Sequence, residues 1–318
     1  MSPTRALHSP VFLFYLATAA GLLIVGGLIL AVLKWGLRVN IGHAWRAYCS
    51  WLFMVPLLML GLFLGRETAV VFVTIVAVFG FREFARATGL SRDPIITGTV
   101  YLGIVATGGV CWMSNPSNGH PGWYGLFMAL PVFVIAAILV IPVVRNRGQG
   151  QLQLLALAVV GFVYFGWMFG HVAFLANSAW AYSYLGYLVM AVALNDVAAY
   201  TFGKWFGRHP LRSNISPKKT WEGAVGGLVV SLVLPWVLLP TFPHFEKWDC
   251  LLVGLIVGIG GQSGDLVVSV FKRDLRIKDM GALIPGHGGI VDRIDGLIYV
   301  APLFFHYIRY FHGLSPPA

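Results

Sequence analysis

Charged residues are scarce in this sequence, and acidic residues are the scarcest among them. Asp, Glu, Lys and Arg together make up 11% of the 318 residues, and only 12 residues are Asp or Glu. A soluble domain carries about 25% charged residues, so the composition excludes an ordinary soluble enzyme. The chain also lacks a Walker A sequence and a dinucleotide-binding glycine fingerprint, which are the usual marks of soluble nucleotide-binding folds.

Cysteine is nearly absent as well. The three cysteines, Cys49, Cys111 and Cys250, are odd in number and share no spacing typical of a metal site. They therefore indicate neither a disulfide framework nor a zinc site, and we interpret them as unpaired residues in or near helices.

Apolar residues are abundant instead. They form 58% of the chain, whose mean hydropathy is +0.79, and apolar runs of about 20 residues, long enough to cross a bilayer, recur along it. The sequence predicts an all-α polytopic membrane protein, with one integral membrane domain over 1–318. We expect apolar helices over 1–178 and helices that carry the polar motifs over 179–312. The ten predicted spans are 11–33, 45–64, 68–82, 95–113, 122–144, 152–176, 181–203, 221–241, 249–271 and 294–311.

The positive charges are distributed unevenly between the predicted loops. If alternate loops lie on opposite sides, 18 of the 22 Lys and Arg residues fall on one side and 4 on the other. This is the asymmetry of the positive-inside rule, so the basic side is predicted to be cytoplasmic. Anionic lipid headgroups and an anionic substrate account for the net charge of +10. We expect no nucleic-acid partner.

Two carboxylates interrupt the predicted spans. Asp196 lies in "ALNDVAAYTFGKW" and Asp265 in "GQSGDLVVSVFKR", and an acid inside a span is costly unless a partner or a function retains it. The alternative to a functional site is an interhelical hydrogen bond or ion pair. Asp265, Ser269, Lys272 and Arg273 share one helical face. Since such a polar stripe is untenable against lipid, we expect it to contact other helices or a wet cavity.

The stretch "NISPKKTWEG" is typical of a helix start. Ser216 is predicted as the N-cap and Pro217 as the first helical residue, which puts Lys218 and Lys219 in the first turn. Cations are disfavoured there unless an anion binds, because a helix N-terminus carries partial positive charge. The alternative is that these lysines reflect only the positive-inside bias.

The most highly charged segment is Ser269–Asp295, in which 9 of 27 residues are Lys, Arg or Asp. Gly286, Gly288 and Gly289 allow a close backbone approach and can form an anion-binding nest, although a tight turn is the simpler alternative. Asp292 and Asp295 follow, three residues apart, and can project the same way. Carboxylates suit Mg²⁺ and Lys and Arg suit phosphates, so the segment predicts phosphoryl or nucleotidyl transfer.

This segment resembles the signature of the phosphatidate cytidylyltransferases, the CDP-diacylglycerol synthases. The resemblance rests on Ser269, Lys272-Arg273, Lys278-Asp279, Pro285 to Gly289 and Asp292 to Asp295, with upstream motifs at 195–203, 216–223 and Gly264-Asp265. The extended N-terminal part is similar to the longer bacterial paralogs of that family.

The resemblance implies the reaction of CTP with phosphatidate to give CDP-diacylglycerol and pyrophosphate, for phospholipid biosynthesis. It also implies dependence on Mg²⁺, assistance by a monovalent cation such as K⁺, and a homodimer. The expected location is the bacterial inner membrane, with a polar active-site cavity open to the cytoplasm.

Roles are assigned to individual residues as hypotheses. The predicted metal ligands are Asp265 and Asp292, with Asp295 and Asp196 as further ligands or as orienting residues. The predicted phosphate-binding residues are Ser216, Lys218, Lys219, Ser269, Lys272, Arg273, Lys278, Gly288, Gly289 and Arg293. His287 is predicted either to protonate the departing pyrophosphate or to serve structure or phosphate binding.

Three other functions remain open at this stage. The same chemistry could act on a different lipid phosphate, such as an isoprenoid or ether lipid. An ion-coupled transporter would use the intramembrane carboxylates along a path through the bilayer, whereas here the charges gather at one face. An inactive membrane scaffold would have no need of the complete signature.

Overall fold

The computed structural model describes residues 1–37, 42–281 and 288–314, without the side chains of 43, 44 and 47. Within that part the regular secondary structure is helical apart from one small hairpin. The helices are α1 Pro3–His8, α2 Pro10–Ala31, α3 Gly42–Leu64, α4 Arg66–Thr88, α5 Pro94–Trp112, α6 Tyr124–Val144, α7 Gln151–Gly161, α8 Phe169–Leu175, α9 Ala181–Phe206, α10 Trp221–Val237, α11 Lys247–Asp274 and α12 Val291–Phe311. The hairpin pairs β1, Pro210–Arg212, with β2, Ser216–Thr220, in antiparallel orientation. A π-helical turn, Val32–Gly36, extends α2, and another, Phe162–Met168, joins α7 to α8.

Seven helices in the described ranges are long and apolar enough to cross a membrane. They are Pro10–Gly36, Arg66–Thr88, Pro94–Trp112, Tyr124–Val144, Gln151–Leu175, Ala181–Phe206 and Lys247–Asp274, and each coincides with a predicted span. The chain is therefore an all-α polytopic membrane protein, as expected. The second and eighth predicted spans fall on the shorter apolar helices Tyr48–Leu64 and Trp221–Val237, and the tenth on α12. A total of ten spans stays a prediction.

Small residues allow the four helices that carry the polar motifs to pack closely. A side chain at Gly223 in α10 would put its Cβ 2.5 Å from the carbonyl oxygen of Ala199 in α9, and one at Gly264 in α11 would put it 2.9 Å from the Cα of Gly296 in α12. Such close contacts are typical of helices that associate in membranes. They bring the polar ends of α9 to α12 to the same end of the bundle.

Polar side chains link the same helices. The buried Asn195 amide in α9 donates to Ser231 Oγ in α10 at 2.8 Å, and Gln262 Nε2 in α11 donates to the carbonyl oxygen of Ala224 in α10 at 2.8 Å. Hydrogen bonds of this kind fix the rotation of each helix, because an unsatisfied amide in hydrocarbon is costly.

The predicted helix start at Ser216 is wrong. Ser216, Lys218 and Lys219 lie in strand β2, and α10 begins five residues later, at Trp221. The N-cap is Thr220, which accepts a hydrogen bond from the Gly223 N–H at 3.2 Å. The two lysines are therefore on an extended segment, where alternate side chains point to opposite faces, and not in the first turn of α10.

The other end of α11 holds a buried acid that belongs to the fold. Asp249 accepts hydrogen bonds from the Tyr307 hydroxyl, from His312 Nε2 at 2.8 Å and from the Glu246 N–H at 2.6 Å. These contacts join the start of α11 to the end of α12. Fully paired, Asp249 stabilises the helix pair at the end remote from the signature.

Candidate active site

An ion pair between β2 and α11 lies at the centre of the polar end. Lys219 Nζ is 2.5 Å from Asp265 Oδ2, and Ser269 Oγ, one turn further along α11, donates to Asp265 Oδ1 at 3.3 Å. The two charged side chains are 27% and 32% exposed. The prediction that this face of α11 contacts other elements is confirmed, and the pair is partly exposed at the surface of the molecule.

Carboxylates from three helices interact around this pair. Asp196 on α9, Asp265 on α11 and Asp295 on α12 are close enough to interact electrostatically, and Lys219 and Arg293 are the cations in reach. Asp295 is 6% exposed and accepts the Gly296 N–H at 2.8 Å. The three carboxylates repel one another when ionised, and a bound cation would relieve that repulsion.

Asp292 has different surroundings from Asp295, although they are only three residues apart. Its Oδ1 accepts from Lys272 Nζ at 2.7 Å, and its Oδ2 accepts the N–H groups of Met280 at 3.0 Å and Gly289 at 3.2 Å. The carboxylate thus joins the end of α11, the following loop and the start of α12. It is Asp295, and not Asp292, that shares the surroundings of Asp265, whereas the sequence favoured Asp292 as its partner.

One residue of this region escaped the sequence reasoning. Glu83 on α4 is 8% exposed, and its Oε2 accepts the Val291 N–H at 3.1 Å. A Cβ at Gly289 would lie 2.5 Å from the same oxygen, and one at Gly281 would collide with the carboxylate. These two glycines therefore allow a carboxylate to approach the backbone at the base of the loop. The only sequence signal was an acid between Arg82 and Arg86, at the end of an apolar stretch, in a protein that has few acids.

The remaining predicted residues surround this centre. Arg273 Nε donates to the carbonyl oxygen of Ile215 at 2.9 Å and so connects α11 with the hairpin. Exposed cations are Lys218, Lys278 and Arg293. Ser216 is half-buried in β2, Gly288 has a φ of +80°, and Gly286 and His287 lie outside the described residues. The predicted roles of all these residues stay predictions.

The donor set suits a magnesium ion that is completed by substrate. Across 1–37, 42–281 and 288–314, no three His, Cys, Asp or Glu side chains converge as a closed metal cage. Mg²⁺ does not require one, because it is usually bound by one or two carboxylates together with substrate phosphates and water. Asp265, with Asp295 and Asp196 in electrostatic reach, offers hard oxygen ligands of the right kind.

The chain is similar in sequence to a family of cytidylyltransferases and to individual bacterial proteins. The sequence model of the cytidylyltransferase family matches residues 45–311. A protein of Staphylococcus aureus named phosphatidate cytidylyltransferase is 32% identical over 241 residues, which cover 75% of this chain and 89% of that protein. Its namesake in Staphylococcus haemolyticus is 43% identical over 161 residues, 50% of this chain and 60% of that protein. The Escherichia coli protein YnbB is 44% identical over 124 residues, 39% of this chain and 42% of that protein. The last two matches thus span less than two thirds of the relatives.

Proposed function

Because the chain belongs to the cytidylyltransferase family, we propose that it transfers CMP from CTP to phosphatidate, giving CDP-diacylglycerol and pyrophosphate. The observation that carries this proposal is the Lys219–Asp265 ion pair, with Asp196 and Asp295 in electrostatic reach. It combines a cation for phosphate with carboxylates for a metal ion, next to the Lys272–Asp292 pair of the signature.

The reaction needs charge neutralisation more than it needs a base. A phosphate oxygen of the lipid attacks the α-phosphorus of CTP, the new P–O bond forms, and the bond from the α-phosphorus to the bridging oxygen breaks to release pyrophosphate. The lipid phosphate is already ionised at neutral pH, so no strong general base is required. The obstacle is the repulsion between two polyanions, which positioned cations reduce.

We assign Lys219 and Lys272 the role of reducing the repulsion between the two substrates. Each ammonium is held by a carboxylate, at 2.5 Å from Asp265 and 2.7 Å from Asp292, so each is positioned before substrate arrives. Phosphate oxygens compete for the same donors, because charge-assisted hydrogen bonds to phosphate are strong. Ser269 restrains Asp265 through its hydrogen bond, and Arg273 holds the hairpin that carries Lys219.

Asp265, Asp295 and Asp196 are the residues that would hold Mg²⁺. When bound, the ion supplies charge neutralisation at the phosphates and helps to orient them. Asp292 stays a predicted ligand. Its oxygens accept three hydrogen bonds, however, so Asp292 is better suited to hold Lys272 and the loop in position. Assistance by K⁺ belongs to the same proposal.

The polar end is proposed to face the cytoplasm of a bacterial cell, since the basic loops gather there. CTP would then enter from the cytoplasm and phosphatidate from the inner leaflet. The homodimer suggested by the resemblance belongs to the proposal as well.

The test is a direct assay of the purified protein in detergent. Labelled CTP, Mg²⁺ and phosphatidate are expected to yield CDP-diacylglycerol and pyrophosphate. Isoprenoid and ether-lipid phosphates, supplied in parallel, identify the lipid that is preferred. Failure to form any CDP-lipid from these substrates would contradict the proposal.

A further inference from the structure

A cleft of about 500 Å³ opens between α4 and the loop that follows α11. On one side it is lined by Arg82, Glu83 and Arg86 of α4, and on the other by Asp279 and Gly281 of the signature region. No residue of α4 entered the predicted site, because the resemblance in motif begins far along the chain. The cleft nevertheless borders the loop that carries the signature.

The two arginines present their charges on one face of α4. Arg82 and Arg86 are four residues apart, so their side chains are neighbours on the helix surface. Arg82 is half-buried and Arg86 exposed, and both are near enough to the Tyr101 hydroxyl to interact with it electrostatically. Within the described ranges neither guanidinium has a carboxylate within 4.0 Å, although Asp279 lines the same cleft.

Glu83 holds this part of α4 against the catalytic end. Its carboxylate accepts the Val291 N–H at 3.1 Å and rests against Gly281 and Gly289. Phe84 adds a contact with Phe271 of α11, with ring centroids 5.9 Å apart. Both contacts come from the last two turns of α4, and their partners belong to the segment Ser269–Asp295. These contacts therefore fix the backbone that carries Arg82 and Arg86 beside the loop that follows α11.

We propose that Arg82 and Arg86 form a second anion subsite, which binds a phosphate group of a substrate or product next to the loop whose Met280 N–H donates to Asp292. Guanidinium groups suit this task because each presents several donors in a planar fork that matches phosphate oxygens. The phosphate can come from the triphosphate and pyrophosphate or from the lipid, and both sources present the same chemistry to the cleft. The identity of the phosphate compound rests on the proposed function, whereas the binding of an anion in this cleft does not.

The decisive variant is Arg82→Gln combined with Arg86→Gln. Arg82→Lys with Arg86→Lys keeps the charge but loses the fork, and Arg92→Gln serves as the matched control, since Arg92 is an exposed arginine of the turn after α4 that does not line the cleft. Binding of inorganic pyrophosphate and of water-soluble dioctanoyl phosphatidate is measured by calorimetry, and KM and kcat for both substrates by the assay above. Thermal unfolding shows whether each variant is folded.

The glutamine variant is expected to weaken binding of one ligand by about tenfold or more, with a matching rise in KM and a smaller change in kcat. Weaker pyrophosphate binding with a higher KM for CTP assigns the subsite to the nucleotide, and weaker phosphatidate binding with a higher KM for the lipid assigns it to the lipid. The lysine variant should fall between the glutamine variant and the unmodified protein. Unchanged affinities for both ligands in a folded glutamine variant would overturn the proposal. If the unmodified protein forms no CDP-lipid, the proposed function fails, and the calorimetry alone decides the subsite.

Discussion

Replacing Asp265 with Asn is expected to separate activity from stability. The change removes one charge from an ion pair whose side chains are 27% and 32% exposed. Exposed ion pairs contribute about 0–1 kcal/mol, so the free energy of unfolding should fall by about 1 kcal/mol at most. Relief of the repulsion from Asp196 and Asp295 offsets part of that loss.

The effect on turnover should be far larger. Removal of one preorganised electrostatic group lowers kcat by about 100- to 1000-fold in well-studied enzymes, and Asp265 both holds Lys219 and offers a metal ligand. The assay follows labelled CTP into CDP-diacylglycerol at saturating substrate, and thermal unfolding in detergent monitors the fold.

Asp93→Asn is the matched control. Asp93 also forms an ion pair at 2.5 Å, with Arg145, but in the turn before α5 and outside the candidate site. It caps α5 by accepting the N–H groups of Ile95 and Ile96, a role that Asn can keep. We expect this variant to lose little stability and to retain its activity. Turnover of the Asp265 variant close to that of the unmodified protein would refute the role given to Asp265.

Three further predictions concern the signature loop and the metal. Lys272→Met leaves Asp292, whose side chain is 6% exposed, without its cation. The free energy of unfolding should therefore fall by about 3 kcal/mol. Thermal unfolding measures this loss, and an unchanged melting temperature would count against the pairing. Gly289→Ala should lower both the melting temperature and turnover, because the new Cβ would lie 2.5 Å from Glu83 Oε2. The control is Gly98→Ala in α5, whose Cβ would meet nothing within 4 Å and which should be neutral. Equal melting temperatures and turnover in the two variants would contradict the contact with Glu83. Chelation with EDTA should abolish turnover and added Mg²⁺ should restore it, and turnover that persists in EDTA would exclude a divalent ion.

Hydropathy predicted the apolar helices because burial in lipid is a property of each segment alone. Hydropathy did not predict where these helices end on their polar side. The third predicted span stops at 82, but α4 continues to Thr88, since Arg82, Glu83 and Arg86 lower the hydropathy while contacts with the signature loop stabilise the last turns. Composition cannot register contacts that come from another part of the chain.

The hairpin was missed for a local reason. Ser216 followed by Pro217 has the pattern of a helix start, yet the same residues fit an extended strand that ends at Thr220. Pairing with Pro210–Arg212 decides between the two conformations. That pairing depends on a turn of a few residues for which the sequence carries no strong signal.

The candidate site was predictable where one helix supplied the geometry. The contact of Ser269 with Asp265 follows from their spacing of four residues. The pairs Lys219–Asp265 and Lys272–Asp292 each join two separate elements, and Glu83 contacts a residue 208 positions away. A single sequence contains the residues of such pairs, but helix packing decides which of them meet.

Binding of Mn²⁺ in place of Mg²⁺, followed by electron paramagnetic resonance, tests most directly whether the carboxylates around Asp265 hold a divalent cation. The purified protein with CTP should bind Mn²⁺, and Asp265→Asn should lose most of that binding while Asp93→Asn retains it. Equal Mn²⁺ affinity in the Asp265 variant and the unmodified protein would contradict a metal site at this end of the bundle.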